Sequence, residues 1–172
     1  MGNNEKAVHS SFWSNLFNMT TEKDDIKKNL FSIPIFQDLR EKDMNIITGL
    51  IHYRNYIKDE YIFYKGDPGI GLYIIREGDV SISDIDSTGN VQSLANLSKG
   101  DFFGELALIE DEKRSATATA KSDAKIAIIF KPDLDEFIER YPAQGIKILK
   151  GILQIVTYRL RKLNDEMISN IK

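Results

Sequence analysis

Between Tyr56 and Phe130 the chain is cut again and again by glycine-bearing turns into short runs of β-branched and aromatic residues. The runs occupy residues 61–64, 72–75, 80–85, 91–97, 115–120 and 125–130. The breaks are Gly66-Asp67-Pro68-Gly69, Glu77-Gly78-Asp79, Asp86 to Asn90, and Lys99-Gly100-Asp101. Many strands at this spacing predict an antiparallel sandwich or roll. Val80 and Ile82 alternate with Ser81 and Ser83, and Ile126, Ile128 and Phe130 alternate with Ala127 and Ile129. That period of two predicts half-buried strands with one core face.

Helical periodicity flanks the strands. Leu30, Phe31, Ile33, Ile35, Phe36 and Leu39 are interrupted by Pro34, and Met44, Ile46, Ile47, Leu50 and Ile51 recur at helical spacing, so two short helices are expected before the strands. After Pro132 a short helix should end at Tyr141-Pro142, and a longer one should run from about Ala143 onward. Its Leu149, Leu153, Val156, Leu160, Leu163 and Met167 are spaced 4, 3, 4, 3, 4. This is either a coiled-coil seam or the face by which the helix packs on its own β-structure. Residues 1–27 read as an appendage, with Phe12, Trp13, Leu16 and Phe17 forming two i,i+4 apolar pairs of one amphipathic helix. The domain proper is expected over 28–172, and the fold class is mainly β with flanking helices.

A chain of 172 residues needs one core only. Its net charge of −3, with Lys and Arg scattered, supplies no basic field for a phosphate backbone, so nucleic acid is not an expected partner. With no cysteine there is no disulfide framework, thiolate metal site or cysteine nucleophile. No apolar run approaches the ~18 residues of a membrane span, no leader pattern is present, and Lys6 stands where a myristoylation pattern needs Ser or Thr. A cytoplasmic location is the expectation. His9 and His52 stand far apart without ligand spacing, so no metal site, no triad and no histidine-rich metalloenzyme of the cupin kind is expected.

The segment with chemistry in it is Gly100-Asp101-Phe102-Phe103-Gly104-Glu105-Leu106-Ala107-Leu108-Ile109, followed by Arg114-Ser115-Ala116-Thr117. Gly104 permits close backbone approach, residues from Glu105 on can open a helical turn whose N–H groups face an anion, and Arg114 supplies a fixed cation. Glu105 would repel a bare phosphate but accepts a hydrogen bond from a sugar hydroxyl. The combination suits a phosphate joined to a ribose. The competing reading of Arg114 is a surface salt bridge to the acidic run Glu110-Asp111-Glu112, a run that itself reads as a solvated turn. Gly66-Asp67-Pro68-Gly69-Ile70-Gly71 lacks the Gly-Lys-Ser/Thr of a nucleotide loop and reads as a hairpin turn.

Phe103-Gly104-Glu105-Leu106-Ala107-Leu108 followed by Arg114-Ser115-Ala116-Thr117 resembles the phosphate-binding cassette of cyclic-nucleotide-binding domains. Residues 62–69 and 72–78 resemble that family's glycine-punctuated hairpins, and the likeness covers about residues 28–165. It implies an antiparallel, jelly-roll-like β-roll with N-terminal helices and a C-terminal lid helix. It also implies that Glu105 holds the ribose 2′-hydroxyl, that Arg114 holds the cyclic phosphate, and that the backbone at Gly104, Leu106, Ala107 and Ala116 completes the cradle. Lys113 departs from the proline that kinase-type members often place before the arginine. Ser115 resembles bacterial cyclic-AMP receptors, whereas cyclic-GMP-preferring modules usually carry threonine there, so cyclic AMP is favoured. Sliding the lid-helix pattern onto this chain puts Leu160, Arg161, Leu163 and Asn164 near the purine, Asn164 being equally readable as an exposed residue near a helix end.

The expected function is a stand-alone cyclic-nucleotide sensor or regulatory module, not an enzyme. It would have no cofactor beyond its nucleotide ligand, would signal through the C-terminal helix to a protein effector, and would be a monomer or weak homodimer. The alternatives are a ligand-independent scaffold subunit and the sensor of a transcription regulator without its DNA-binding domain, since no helix-turn-helix follows the last helix in this sequence.

Overall fold

The structure is a computed structural model, described for residues 26–169 apart from residues 87 and 110. The amphipathic pairs expected among residues 12–17, His9 and Glu110 lie outside the described residues. A helical stretch through residues 26–32 (α1) leads into a turn around Pro34 and then helix α2, Glu41–Gly49. Eight strands follow: β1 Ile51–Tyr56, β2 Tyr61–Phe63, β3 Gly71–Glu77, β4 Val80–Ile85, β5 Val91–Leu97, β6 Phe102–Phe103, β7 Thr117–Ala120 and β8 Ala124–Phe130. A 3-10 turn, Glu105–Leu108, stands between β6 and β7. Helices α3, Lys131–Arg140, and α4, Pro142–Ser169, come last.

Two antiparallel four-stranded sheets, ordered β1-β8-β3-β6 and β2-β7-β4-β5, face each other as a β-roll. Tyr73, Ile75, Phe103, Ile126 and Ile128 from the first sheet meet Ile62, Val80, Ala118 and Ala120 from the second. On the outer side of the first sheet, Leu72, Ile74, Ala127 and Ile129 pack under a helical layer containing Ile26, Leu30, Phe36, Met44, Phe137 and Ile148. The expectation of one core face therefore fails for β8. Its alternate residues serve two cores, which is why the run is apolar almost without a break.

Two strands differ from the sequence-based expectation. Ile51–Tyr56 forms β1 at an edge, paired only with β8 from Ile51↔Ile129 to Tyr56↔Ala124, and most of its side chains face solvent. It lacks the apolar alternation that betrays a strand, and Ile51 happens to continue the spacing of α2. Phe102–Phe103 is a two-residue strand, below the length at which a pattern exists.

The readings left open for α4 are now separated. Leu149, Leu153, Val156, Leu160 and Met167 are exposed, and the Leu163 side chain lies outside the described features. The helix packs instead by Gly145, Ile148, Gly151, Ile152 and Ile155. The reason is backbone proximity: a Cβ on Gly151 would collide with the Pro34 carbonyl oxygen and come within 2.6 Å of Ile35 Cα. Only glycine lets α4 sit this close to the Pro34 turn.

Asp43 ties the helices together. Buried at the start of α2, its carboxylate accepts from Arg40 Nε at 3.0 Å and from Gln144 Nε2 of α4 at 3.1 Å. The Arg40 hydrogen bond chiefly, with help from Gln144, holds its pKa below the usual aspartate value against the opposing effect of burial. A depressed folded pKa gives stability that is present above the unfolded value near ~3.9 and is lost as pH falls through the folded one. Asp43→Asn should therefore lower stability at pH 7 by about 1 kcal/mol, and that deficit should shrink below pH 4. Urea unfolding of both proteins at pH 7 and pH 3 checks this, and a deficit independent of pH would refute it.

Candidate functional site

The site is built around Arg114. Its backbone N–H donates to Asp67 O at 2.8 Å, and its carbonyl accepts from Gly66 N at 2.9 Å. Gly69 N donates to Glu112 O at 3.3 Å, and Pro68 bridges Lys113. The turn at residues 66–69 is thus no phosphate loop, but it clamps the segment that bears the arginine. The side chain runs inward and is 7% exposed. Nη1 donates to Gly104 O at 3.3 Å and Nη2 to Gly71 O at 3.1 Å, while the guanidinium carbon lies 4.3 Å from the Phe63 ring centre and 5.2 Å from that of Tyr73. Burial pulls the guanidinium pKa below its ordinary value, with Tyr73, Glu105 and Asp67 acting the other way.

Gly104 sits in the left-handed region at φ 76°, and a Cβ there would come within 2.6 Å of Arg114 Nη1. Glycine meets both demands, and the residue after it opens the 3-10 turn. The first bond within that turn is Ala107 N to Gly104 O, at 3.2 Å, so the N–H groups of Glu105 and Leu106 precede its ladder. Glu105 itself is 1% exposed. Its carboxylate forms an ion pair with Arg159 Nη1 from α4.

A cavity of about 370 Å³ opens over these groups, within the range of small-molecule sites. Gly104, Glu105, Leu106, Ala107, Arg114, Ser115 and Ala116, all singled out from the sequence, line it together, along with Phe63, Ile82, Ala95, Leu97, Phe102 and Phe103. Lys113 also lines it, and Ser115 is exposed at its mouth. Two buried side-chain polar atoms among the described residues lack a hydrogen-bond partner: Glu105 Oε1 and Arg114 Nε. Arg159 Nη1 sits on that Glu105 oxygen as its ion-pair partner. A buried carboxylate and a buried guanidinium on one cavity suit a ligand carrying a hydroxyl and an anion. No cluster of three or more His, Cys, Asp or Glu that could hold a metal occurs among the described residues.

Arg161 and Asn164 are exposed on α4 and are not among the residues lining the cavity. Arg159 lines it instead. At 100° per residue, position 161 lies about 200° and position 164 about 140° round the helix from position 159. The signal for Arg159 was present in the chain, since 159 follows 148, 152 and 155 in a 4, 3, 4 series along the buried face. The leucine stripe drew attention to the wrong side.

A family model described as cyclic nucleotide-binding domain matches residues 53–141. The chain is similar to a cyclic AMP receptor protein of Thermus thermophilus, with 29% identity over 78% of this chain and 60% of that one. It is similar also to a cAMP-dependent protein kinase regulatory subunit of Colletotrichum orbiculare, with 32% identity over 68% of this chain and 29% of that protein. The chain thus spans well under two thirds of either relative. Among solved structures, the N-terminal domain of a transcriptional regulator from Streptomyces coelicolor superposes with a TM-score of 0.71 at 28% identity, over 81% of this chain and 94% of that domain.

Proposed function

The chain belongs to the cyclic nucleotide-binding domain family, and from that premise we propose that it is a cyclic-nucleotide sensor or regulatory module, without catalysis of its own, in which cyclic AMP is preferred. One observation carries the reading: the buried Glu105 carboxylate and the buried Arg114 guanidinium line a single cavity. A ribose hydroxyl donating to Glu105 and a cyclic phosphate accepting from Arg114 would satisfy both. The 3-10 turn and the backbone at Leu106, Ala107 and Ala116 flank the phosphate, Ser115 adds a hydroxyl at its rim, and Ile82, Ala95, Leu97 and Phe102 offer the purine an apolar wall. The domain is taken to run over 28–172.

The preference for cyclic AMP rests on Ser115 and on the names of two relatives, one a cyclic AMP receptor and one a cAMP-dependent kinase subunit. The output is a movement of α4, the element that reaches the cavity through Arg159, passed to a protein effector in the cytoplasm. No helix among the described residues is long and apolar enough to cross a membrane. The exposed seam of Leu149, Leu153, Val156 and Leu160 supports a weak homodimer alongside the monomer. An empty-pocket scaffold fits less well, because a buried, hydroxyl-seeking carboxylate is costly to keep without use.

Calorimetric titration with cyclic AMP and with cyclic GMP tests the proposal, and sedimentation velocity of the same samples follows self-association. Cyclic AMP should bind at micromolar concentration or tighter and compete out cyclic GMP. No heat with either nucleotide would defeat the sensor reading, and a preference for cyclic GMP would overturn the base assignment.

A further inference from the structure

Arg159 stands where a buried carboxylate meets the C-terminal helix. Glu105 is 1% exposed, whereas the Arg159 side chain is 50% exposed. Among the described ion pairs and hydrogen bonds, Arg159 is the group on the Glu105 carboxylate, and it sits on Oε1. In the ligand-free protein the cation is therefore a surrogate: it holds the place on the carboxylate that a ligand's hydroxyl would take. Glu105 cannot relax into solvent, because it starts the 3-10 turn beneath Gly104.

Arg159 also has somewhere else to go. It forms part of the wall between the ligand cavity and a second cleft of about 470 Å³ that runs under α4 to the Pro34 turn. That second cleft is lined by Gln37, Tyr158 and a further carboxylate, Asp101. An arginine leaving Glu105 thus meets another acid within the same part of the fold.

We propose that the Arg159–Glu105 ion pair is a ligand-displaceable latch that sets both the affinity of the site and its selectivity for ribose over deoxyribose. The proposal rests on the sensor reading given above. A ligand with a 2′-hydroxyl donates to Glu105 and makes the surrogate redundant. Arg159 then swings toward the Asp101 side and α4 is freed to re-seat. A ligand without that hydroxyl leaves Glu105 dependent on Arg159 and keeps the latch shut. Binding of the ribose form is weakened by whatever the latch is worth, and that same free energy is what the ligand delivers to the helix.

Arg159→Gln tests this, since the side chain is half exposed and its loss leaves the packed face of α4 intact. Full-length wild-type and variant proteins are titrated with cyclic AMP and with 2′-deoxy cyclic AMP, and hydrogen exchange of residues 155–162 is followed without ligand. The variant should bind cyclic AMP about tenfold more tightly, bind the deoxy form within about twofold of wild type, and exchange faster along that stretch of α4. Equal weakening of both ligands would overturn the latch, because it would make Arg159 a plain attractive charge for an anion. Unchanged cyclic AMP affinity, or unchanged exchange, would also overturn it. If neither nucleotide binds wild type, it is the sensor reading that falls, and the latch then stands or falls on the exchange of the ligand-free proteins alone.

Discussion

Arg114→Ala should cost cyclic AMP binding about 2–5 kcal/mol, a loss of roughly 30-fold to several thousandfold, because it deprives a desolvated phosphate of its charged partner. The size follows from how the arginine is held. Its backbone is clamped by the turn at residues 66–69, each terminal nitrogen donates to one carbonyl, Gly104 or Gly71, and the guanidinium lies over Phe63. Arg114 thus lines the cavity with little rotamer freedom left to lose. Arg114→Lys should recover only part of the loss, since one compact ammonium lacks the planar fork that reaches two separate carbonyls and an anion. Calorimetry reads the affinities, and thermal unfolding separates them from damage to the fold, because the alanine variant also strands two carbonyl acceptors. Arg114→Ala binding within threefold of wild type would remove Arg114 from the site.

The second large effect is on the helical layer. Gly151→Val should destabilise the protein by about 3 kcal/mol, at the upper end of overpacking costs, and lower the unfolding temperature by about 6–12 °C. Its methyl groups have no room against the Pro34 carbonyl and Ile35, and α4 must lift to admit them. Gly49→Ala is the matched control: nothing lies within 4 Å of a Cβ there, so that variant should be neutral or slightly stabilising. Differential scanning calorimetry of the three proteins suffices, and a Gly151→Val midpoint within 2 °C of wild type would show that α4 does not depend on that close approach.

How far the chain could be read in advance depended on whether each position answers to its neighbours in sequence or in space. The roll was legible because turns such as Gly78 and Gly100 require positive φ and so mark their own positions. That Gly104, Glu105 and Arg114 would come together on one cavity was legible because they keep their spacing within one stretch of chain. Edge strand β1 was not, since Ile51–Tyr56 is held by β8 and not by any apolar pattern of its own. Helix α4 misled because two stripes lie side by side on it. Leucine spacing is conspicuous, yet the buried stripe is the one with Gly145, Gly151 and three isoleucines. Which stripe packs was decided by the Pro34 turn, more than a hundred positions away. Arg159 was overlooked for the same reason: its partner Glu105 is recognisable locally, but the pairing exists only once α4 has docked.

The pairing of β1 with β8 has a consequence for how the molecule is made. Ile51 meets Ile129, a partner 78 positions later in the chain, and β3 finds β8 across a shorter separation, 59 positions between Gly71 and Phe130. At synthesis rates of about 5–20 residues per second, β1 leaves the ribosome roughly 4–16 s before its hydrogen-bonding neighbour among the described strands exists. During that interval its backbone N–H and C=O groups must be met by water. The outward side chains of β1, His52, Tyr53, Arg54 and Asn55, thus suit a second task, keeping an early strand soluble while it waits. Sheet closure is then a late event that comes with β8, whose Ile128 pairs with Tyr73, one of the rings beneath Arg114, so nascent chains ending before Phe130 should have no competent pocket.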